Sequence, residues 1–432
     1  MGPRDTQGAV MRGSIVKRCG CTEVVDGRRR QLGARCPKLR RRDGSWNPKH
    51  GTWGFAVSLP GPDGRPKMVR RYGFATAAEA QAALDELKER ARRGVTATDI
   101  TVADWLQQWL TRKRDITAST HRSYATHVHN HIAPVIGRIQ LADLRVTHVS
   151  EMLAEVPGSD ATRQRVRATL RSALADAVRE GLIPSNPAAL VKIPSGRRPR
   201  ALVWTEERVR QWRETGERPS PVMVWTPAQL GQFLDHAQDD RLYALWHLIA
   251  HRGLRRGEAC GLEWGDIDLE ARTLTVRRQL VQVGWEVVEA PPKSDAGNRT
   301  IALDTGSVEA LRAHRRRQLE ERMLLGEAWT DSGKVFTRED GVPLHPASVS
   351  DRFQRLVDEA GLPPVRLHDL RHGAASLMLA AGVPMKVVQE TLGHSSSALT
   401  ADTYTSVYPE VAAEAAEAAA ALVPRRSRTG VD

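Results

Sequence analysis

The sequence has no run of about 18 apolar residues, which excludes a membrane-spanning helix of ordinary length. Its first residues, MGPRDTQGAV, contain no apolar stretch of the secretory kind. Cysteine is scarce: four in 432 residues exclude a disulfide framework and suit a reducing, cytoplasmic setting. No segment repeats, which excludes a solenoid or propeller. Lysine is scarce too, ten against 54 arginines, a bias that fits a GC-rich genome. What is present is 41% apolar residue, enough to fill the cores of two or three domains.

The net charge is +13 and unevenly spread. Residues 1–99 hold 21 Lys and Arg against 10 Asp and Glu, so they carry +11 of it. A local excess of this size suits a polyanion, with nucleic acid the first candidate.

The pattern predicts a disordered start over residues 1–12, then a β-rich unit over 13–98. Within it, Trp53 to Leu59 and Met68 to Phe74 read as strands joined by the turn residues PGPDGRP. A helix follows, with Thr76 as N-cap, Glu79 three residues on, and an apolar stripe of Ala80, Ala83, Leu84 and Leu87. Residues 99–193 read as a bundle of four to five helices, the first capped by Thr101, with Pro134, Pro157 and Pro184 at breaks. Residues 194–224 read as a basic, proline-containing linker with one short helix near Glu206 to Arg213. Residues 225–410 form an α+β domain. It opens on Thr226 and Pro227, then a core helix with Leu242, Leu245, Trp246 and Ile249. TLTVRRQLVQV, WEVVEA and RTIAL follow with a period of two, which predicts a three-stranded antiparallel sheet. Residues 411–432 form an alanine-rich helix and tail. The fold class expected is multidomain, mainly α with small β-sheets.

Six residues in the last domain form a kit for attacking a phosphodiester. Such an ester repels nucleophiles by its own charge, so the transition state needs cations and donors around the non-bridging oxygens. Arg255, in GLRRGEACGLEW, stands where a helix starts and offers a planar fork of donors. Arg256 is its rival. Glu258 is expected to support the site by hydrogen bonding. His368 and Arg371, in LHDLRH, lie three apart and share one helix face. His372 is expected to point away. His394 follows Gly393, a helix C-cap in LGHSS. Lys293, in PPKSDAGNRT, is placed on a hairpin tip from which an ammonium can protonate a leaving oxygen; Lys334 is its rival. Tyr404, in TADTY, is the nucleophile candidate, and Tyr408 the alternative.

This ordered set resembles the catalytic series of the tyrosine recombinases, the phage integrase family, over roughly residues 100–410. The resemblance implies a β-rich arm-binding domain of three strands and a helix, a helical core-binding domain, and a catalytic domain. It implies cleavage of DNA through a 3′-phosphotyrosine and a Holliday junction, with no ATP and no required cofactor. The partners it implies are double-stranded DNA attachment sites, a homo-tetramer on DNA, an excisionase and a host DNA-bending factor, with no membrane. It implies a bacterial or phage-encoded enzyme near the nucleoid. Arg65, Lys67, Arg70 and Arg71, which flank or lie on the proposed strands, are the DNA-contact candidates, as are Arg28 to Arg30 and Arg40 to Arg42. A type IB topoisomerase and a non-catalytic DNA-binding regulator are the rival readings.

Cys19, Cys21, Cys36 and His50 could together bind Zn²⁺. Their spacing is not a standard one, so reduced thiols are the expectation and zinc the exception. Cys260 is expected in the core.

Overall fold

The structure, a computed structural model, describes residues 13–25, 28–60, 66–92, 100–194, 201–393, 416–417 and 419–421. The chain divides into two compact units, Met1–Gly196 and Arg197–Asp432.

The first unit opens with strands β1 (Gly13–Val25), β2 (Arg28–Gly33), β3 (Thr52–Pro60) and β4 (Pro66–Phe74), and helix α1 (Ala77–Arg92). The sheet order is β2-β1-β3-β4. Three strands were expected; the long β1, whose Gly, Cys, Lys and Arg hide any alternation, adds β2 at the edge. Phe55, Val57 and Leu59 lie two apart on β3, face α1, and meet Leu84 and Ala91 in a small core. Thr76 accepts the Glu79 amide at 3.1 Å and so caps α1.

The helical part runs α2 (Val102–Arg112), α3 (Ala118–His127), α4 (Ala133–Ile136), α5 (Val146–Glu155), α6 (Asp160–Arg179) and α7 (Pro187–Leu190). Thr101 and Asp104 close a reciprocal cap on α2. Between α3 and α4 the chain makes a π-helical turn, Val128–Ile132. Pro134 has no N–H and its ring would crowd the carbonyl four residues back, which accounts for the widened turn. Trp105, Leu106, Ile132, Leu170 and Leu174 are fully buried in its core.

In the second unit, the linker expected over residues 194–224 is, from Ala201 onward, part of the fold. β5 (Leu202–Val203) pairs in parallel with β6 (Met223–Val224), and α8 (Glu206–Thr215) lies between them. Trp204 is fully buried and donates its indole N–H to the Pro364 carbonyl at 3.2 Å. Helices α9 (Pro227–His236), α10 (Tyr243–Arg252) and α11 (Arg256–Gly261) follow. The expected three-stranded sheet is instead two. β7 (Ile267–Asp268), β8 (Thr273–Val276) and β11 (Arg299–Ala302) make one in the order β11-β8-β7; β9 (Gln279–Val283) and β10 (Glu286–Ala290) make the other. The break falls at Arg277 and Arg278, where Arg278 leaves the ladder to pair with Glu263 and Asp266. Helices α12 (Thr305–Leu325), α13 (Pro346–Glu359), α14 (Leu367–Ala380) and α15 (Met385–Leu392) complete the unit. No helix among the described residues is long and apolar enough to cross a membrane.

Candidate active site

Arg255 is the N-cap of α11, and its position is fixed by Glu258 at the third helical residue. The Glu258 carboxylate accepts the Arg255 amide at 3.0 Å and its guanidinium at 2.6 Å. It is only 2% exposed, so it must be paired. Arg299, from β11, completes the pairing with bonds of 2.9 and 3.2 Å to the same carboxylate. Burial pushes the Glu258 carboxyl up, but the hydrogen bonds and charge of Arg299, then Arg255, outweigh it and hold the pKa below its ordinary value. Arg299 also donates to the Thr391 carbonyl at 2.6 Å. Sequence reading missed Arg299. Its signal was weak: one Arg opening a strand whose neighbours alternate.

Arg371 ties the second box to the first. It is 2% exposed and donates to the carbonyls of Gly253 and Leu392, both at 2.5 Å. These carbonyls close α10 and α15, where cations are favoured by the helix dipole. Gly253 has φ +66°, and a Cβ there would lie 2.4 Å from Leu392 Cδ2, so only glycine lets the two helix ends meet. Arg255 reaches the same place, donating to the Gly393 carbonyl at 3.2 Å. Gly393, with φ +68°, is the left-handed C-cap of α15. Motifs more than a hundred residues apart thus converge on the residues just before His394.

His368 lies near the start of α14 with a solvent-open edge. Its pKa is lowered, by the protein packed around the ring and then by the Arg371 charge. His372 does not point away: its ring stands edge-on to His368, 5.4 Å between centroids, because residues four apart share a helix face. Burial, then His368, pushes His372 down to about 4, so it is neutral near pH 7.

Arg256 turns elsewhere, to Ser350 at 2.7 Å. Lys334 is 6% exposed and paired with Glu263 at 2.8 Å and Glu289 at 2.5 Å, so its charge is used in the fold. Lys293 is exposed. It is not on a hairpin tip, since β10 pairs with β9 and β11 with β8. It lies instead in the connection from β10 to β11. That connection passes the site: a Cβ on Gly393 would lie 2.7 Å from the Ala296 carbonyl oxygen. Cys260 is fully buried, and burial pushes its thiol up to about 12, consistent with a core role. His394, Tyr404, Tyr408 and Arg65 lie outside the described residues, as does most of the expected alanine-rich tail; residues 416–417 and 419–421 are helical.

On β4 the sheet register separates the remaining DNA-contact candidates. Lys67 pairs with Leu59 and Arg71 with Phe55, which puts both on the helix-covered face. Arg71 approaches Asp143 at 3.6 Å. Arg70 is opposite Ala56, on the open face with exposed Met68 and Tyr72. Arg18, whose guanidinium lies 4.8 Å from the Tyr72 ring centre, shares that face and was missed. Arg28 to Arg30 are exposed on the edge strand β2, and Arg40 to Arg42 on the loop after it. Cys19, Cys21, Cys36 and His50 come together, their ligand atoms all within 4.8 Å of one another.

A basic chain with two arginines gathered at one pair of helix ends, and a histidine that feels the charge of both, has the build of an enzyme acting on a phosphodiester. Family models agree. Residues 224–410 match the phage integrase family, 102–193 the phage integrase central domain, and 47–91 an arm DNA-binding domain. The chain is 28% identical over 392 residues to a tyrosine recombinase XerC-like protein of Caldanaerobacter subterraneus subsp. tengcongensis, covering 85% of this chain and 96% of that one. It is 26% identical to an integrase of Saccharopolyspora erythraea, covering 82% and 89%. Among solved structures, the Tn1549 transposon integrase in complex with a circular intermediate DNA matches with TM-score 0.58 at 20% identity, over 74% of this chain and 99% of that one. A lambda integrase dimer bound to a COC′ core site matches with TM-score 0.51 at 20% identity, over 86% and 95%. The chain belongs to the phage integrase family of tyrosine recombinases, site-specific DNA recombinases.

Proposed function

We propose that the chain cuts and rejoins double-stranded DNA at attachment sites, with Tyr404 as nucleophile, to integrate and excise a mobile element. The Tyr404 phenol gives its proton to a neutral histidine of the site as its oxygen attacks phosphorus; the bond from phosphorus to the 5′-oxygen breaks, a 3′-phosphotyrosine forms, and the 5′-oxygen leaves with a proton from Lys293. The phosphotyrosine keeps the energy of the broken bond, so the 5′-hydroxyl of another strand can reseal it without ATP or a catalytic metal. Arg255 and Arg371 hold the non-bridging oxygens, and His368 and His394 donate hydrogen bonds and move protons at the same phosphate.

The observation that carries this reading is the convergence of Arg255 and Arg371 on the carbonyls of Leu392 and Gly393. It supports one phosphate site built from three sequence motifs. Two successive strand exchanges, a Holliday junction and a homo-tetramer on paired sites follow from the family chemistry. So do an excisionase, a host bending factor and a place in the cytoplasm with the nucleoid. The test is covalent trapping on a nicked duplex taken from DNA flanking the gene. A slow-migrating adduct with wild type and none with Tyr404→Phe is expected. An adduct that survives in Tyr404→Phe and vanishes in Tyr408→Phe would move the nucleophile.

A further inference from the structure

We propose that Cys19, Cys21, Cys36 and His50 bind one structural Zn²⁺ that clips the loop between β2 and β3 onto β1. Three features of the first unit lead there.

The first is geometry. His50 Nε2 lies 3.5 Å from Cys21 Sγ and 3.5 Å from Cys36 Sγ, and Cys19 Sγ completes a set lying within 4.8 Å. A tetrahedron with Zn–S of about 2.3 Å and Zn–N of about 2.0–2.1 Å has S···N edges of about 3.5 Å and S···S edges of about 3.8 Å. One imidazole nitrogen facing two sulfurs at the edge length is what a shared metal requires. A thiol hydrogen bond would account for one such distance, not for the whole set. All four cysteines of the chain are free.

The second is how the backbone delivers the ligands. Cys19 and Cys21 are two apart on β1 and so leave the same face of the strand. The β1–β2 register shifts between Cys19 and Thr22, which lets both sulfurs lean toward one point. Cys36 precedes the short 3₁₀ turn Pro37–Leu39. His50 precedes Gly51, whose φ of +75° lets the chain pass close to β1: a Cβ there would lie 2.4 Å from the Arg18 carbonyl oxygen. The non-standard sequence spacing follows from this route, since two ligands come from a strand and two from opposite ends of a loop.

The third is need. Residues 34–51 contribute only Cys36 and Leu39 as buried apolar side chains, and neither belongs to the core formed by Phe55, Val57 and Leu84. A segment of this length with so little core is the kind that a metal or disulfide stabilises. The loop also carries Arg40 to Arg42, and it follows the strand that carries Arg28 to Arg30. On binding, the three thiols release three protons, and the site carries a net charge of −1.

The test is elemental analysis of the full-length chain, purified under reducing conditions without a histidine tag. About one Zn²⁺ per chain is expected. Replacement by Co²⁺ should give the visible bands of a tetrahedral, thiolate-rich centre. His50→Ala should lose the metal, and His50→Cys should retain it with a spectrum shifted toward four sulfurs. That pair keeps the test decisive should Cys36→Ser fail to fold. Three results would overturn the proposal: no bound metal with every thiol reduced; a mass lower by two hydrogens, from a disulfide among these cysteines; or equal metal content in His50→Ala and wild type.

Discussion

The catalytic domain and the loop between β2 and β3 solve the same problem in opposite ways. Each carries basic side chains that something must hold in place. In the catalytic domain a large core surrounds the site, and a buried carboxylate, Glu258, orients Arg255 and Arg299 from two elements. The loop has almost no core, and its ligands converge on a point where a metal belongs. Charge can be positioned by burial where there is volume to bury it in; where there is none, a covalent or coordinate clip is needed.

Removing the Glu258 carboxylate should break the first solution most severely. Glu258→Gln leaves Arg299, 9% exposed, without its counter-charge. A loss of about 3–5 kcal/mol in unfolding free energy is expected. Denaturant titration measures it, and a change under about 1 kcal/mol would refute the role given to this pair.

Arg255→Ala should leave the fold in place and slow adduct formation by about 10²–10³, the size of one lost transition-state donor. Arg256→Ala, which loses only the Ser350 contact, should change the rate far less. Single-turnover trapping compares the two. Equal losses would reopen the choice between them.

A pH series probes the same domain. His247 and His372 are both held down to about 4, first by burial. Below about 6.5 the unfolded chain takes up protons that these folded rings refuse, so stability should fall as pH drops from about 6.5 toward 4. Above about 6.5 both states are neutral and the effect is flat. Each ring should account for at most about 2–3 kcal/mol. His372→Asn should flatten the curve; an unchanged slope would contradict the assignment.

Lys293→Ala should slow cleavage of an ordinary 5′-oxygen leaving group. It should matter little when that oxygen is replaced by a bridging sulfur, which leaves without a proton. An equal defect on both substrates would show that Lys293 acts elsewhere. At the small end, Arg71→Ala removes an exposed pair with Asp143 and should cost at most about 0.5 kcal/mol.

Much of this site was legible because its motifs are local. A helix start, a Gly cap and an HxxR face can each be read within a dozen residues. The misreadings came from contacts made far along the chain. TLTVRRQLVQV looks like one strand, and only the acids at 263 and 266 reveal why it breaks at Arg278. The segment 201–224 has the composition of a linker, and only the core it packs into, with Pro364 accepting the indole N–H, shows why Trp204 is buried. Charge alone grouped Lys67 and Arg70 as candidates, and the pairing of β4 with β3 assigns them to opposite faces. Arg299 could not be singled out before its partner, Glu258, was brought beside it from 41 residues away.

The most direct test of the contrast is adduct formation on the nicked duplex before and after treatment with a chelator, with hydrogen exchange read on the same samples. Chelation should raise exchange over residues 34–51 and leave the Tyr404 adduct intact, because the catalytic site is held by its own carboxylate and core. Loss of the adduct on chelation, with exchange over residues 34–51 unchanged, would contradict both halves of the account.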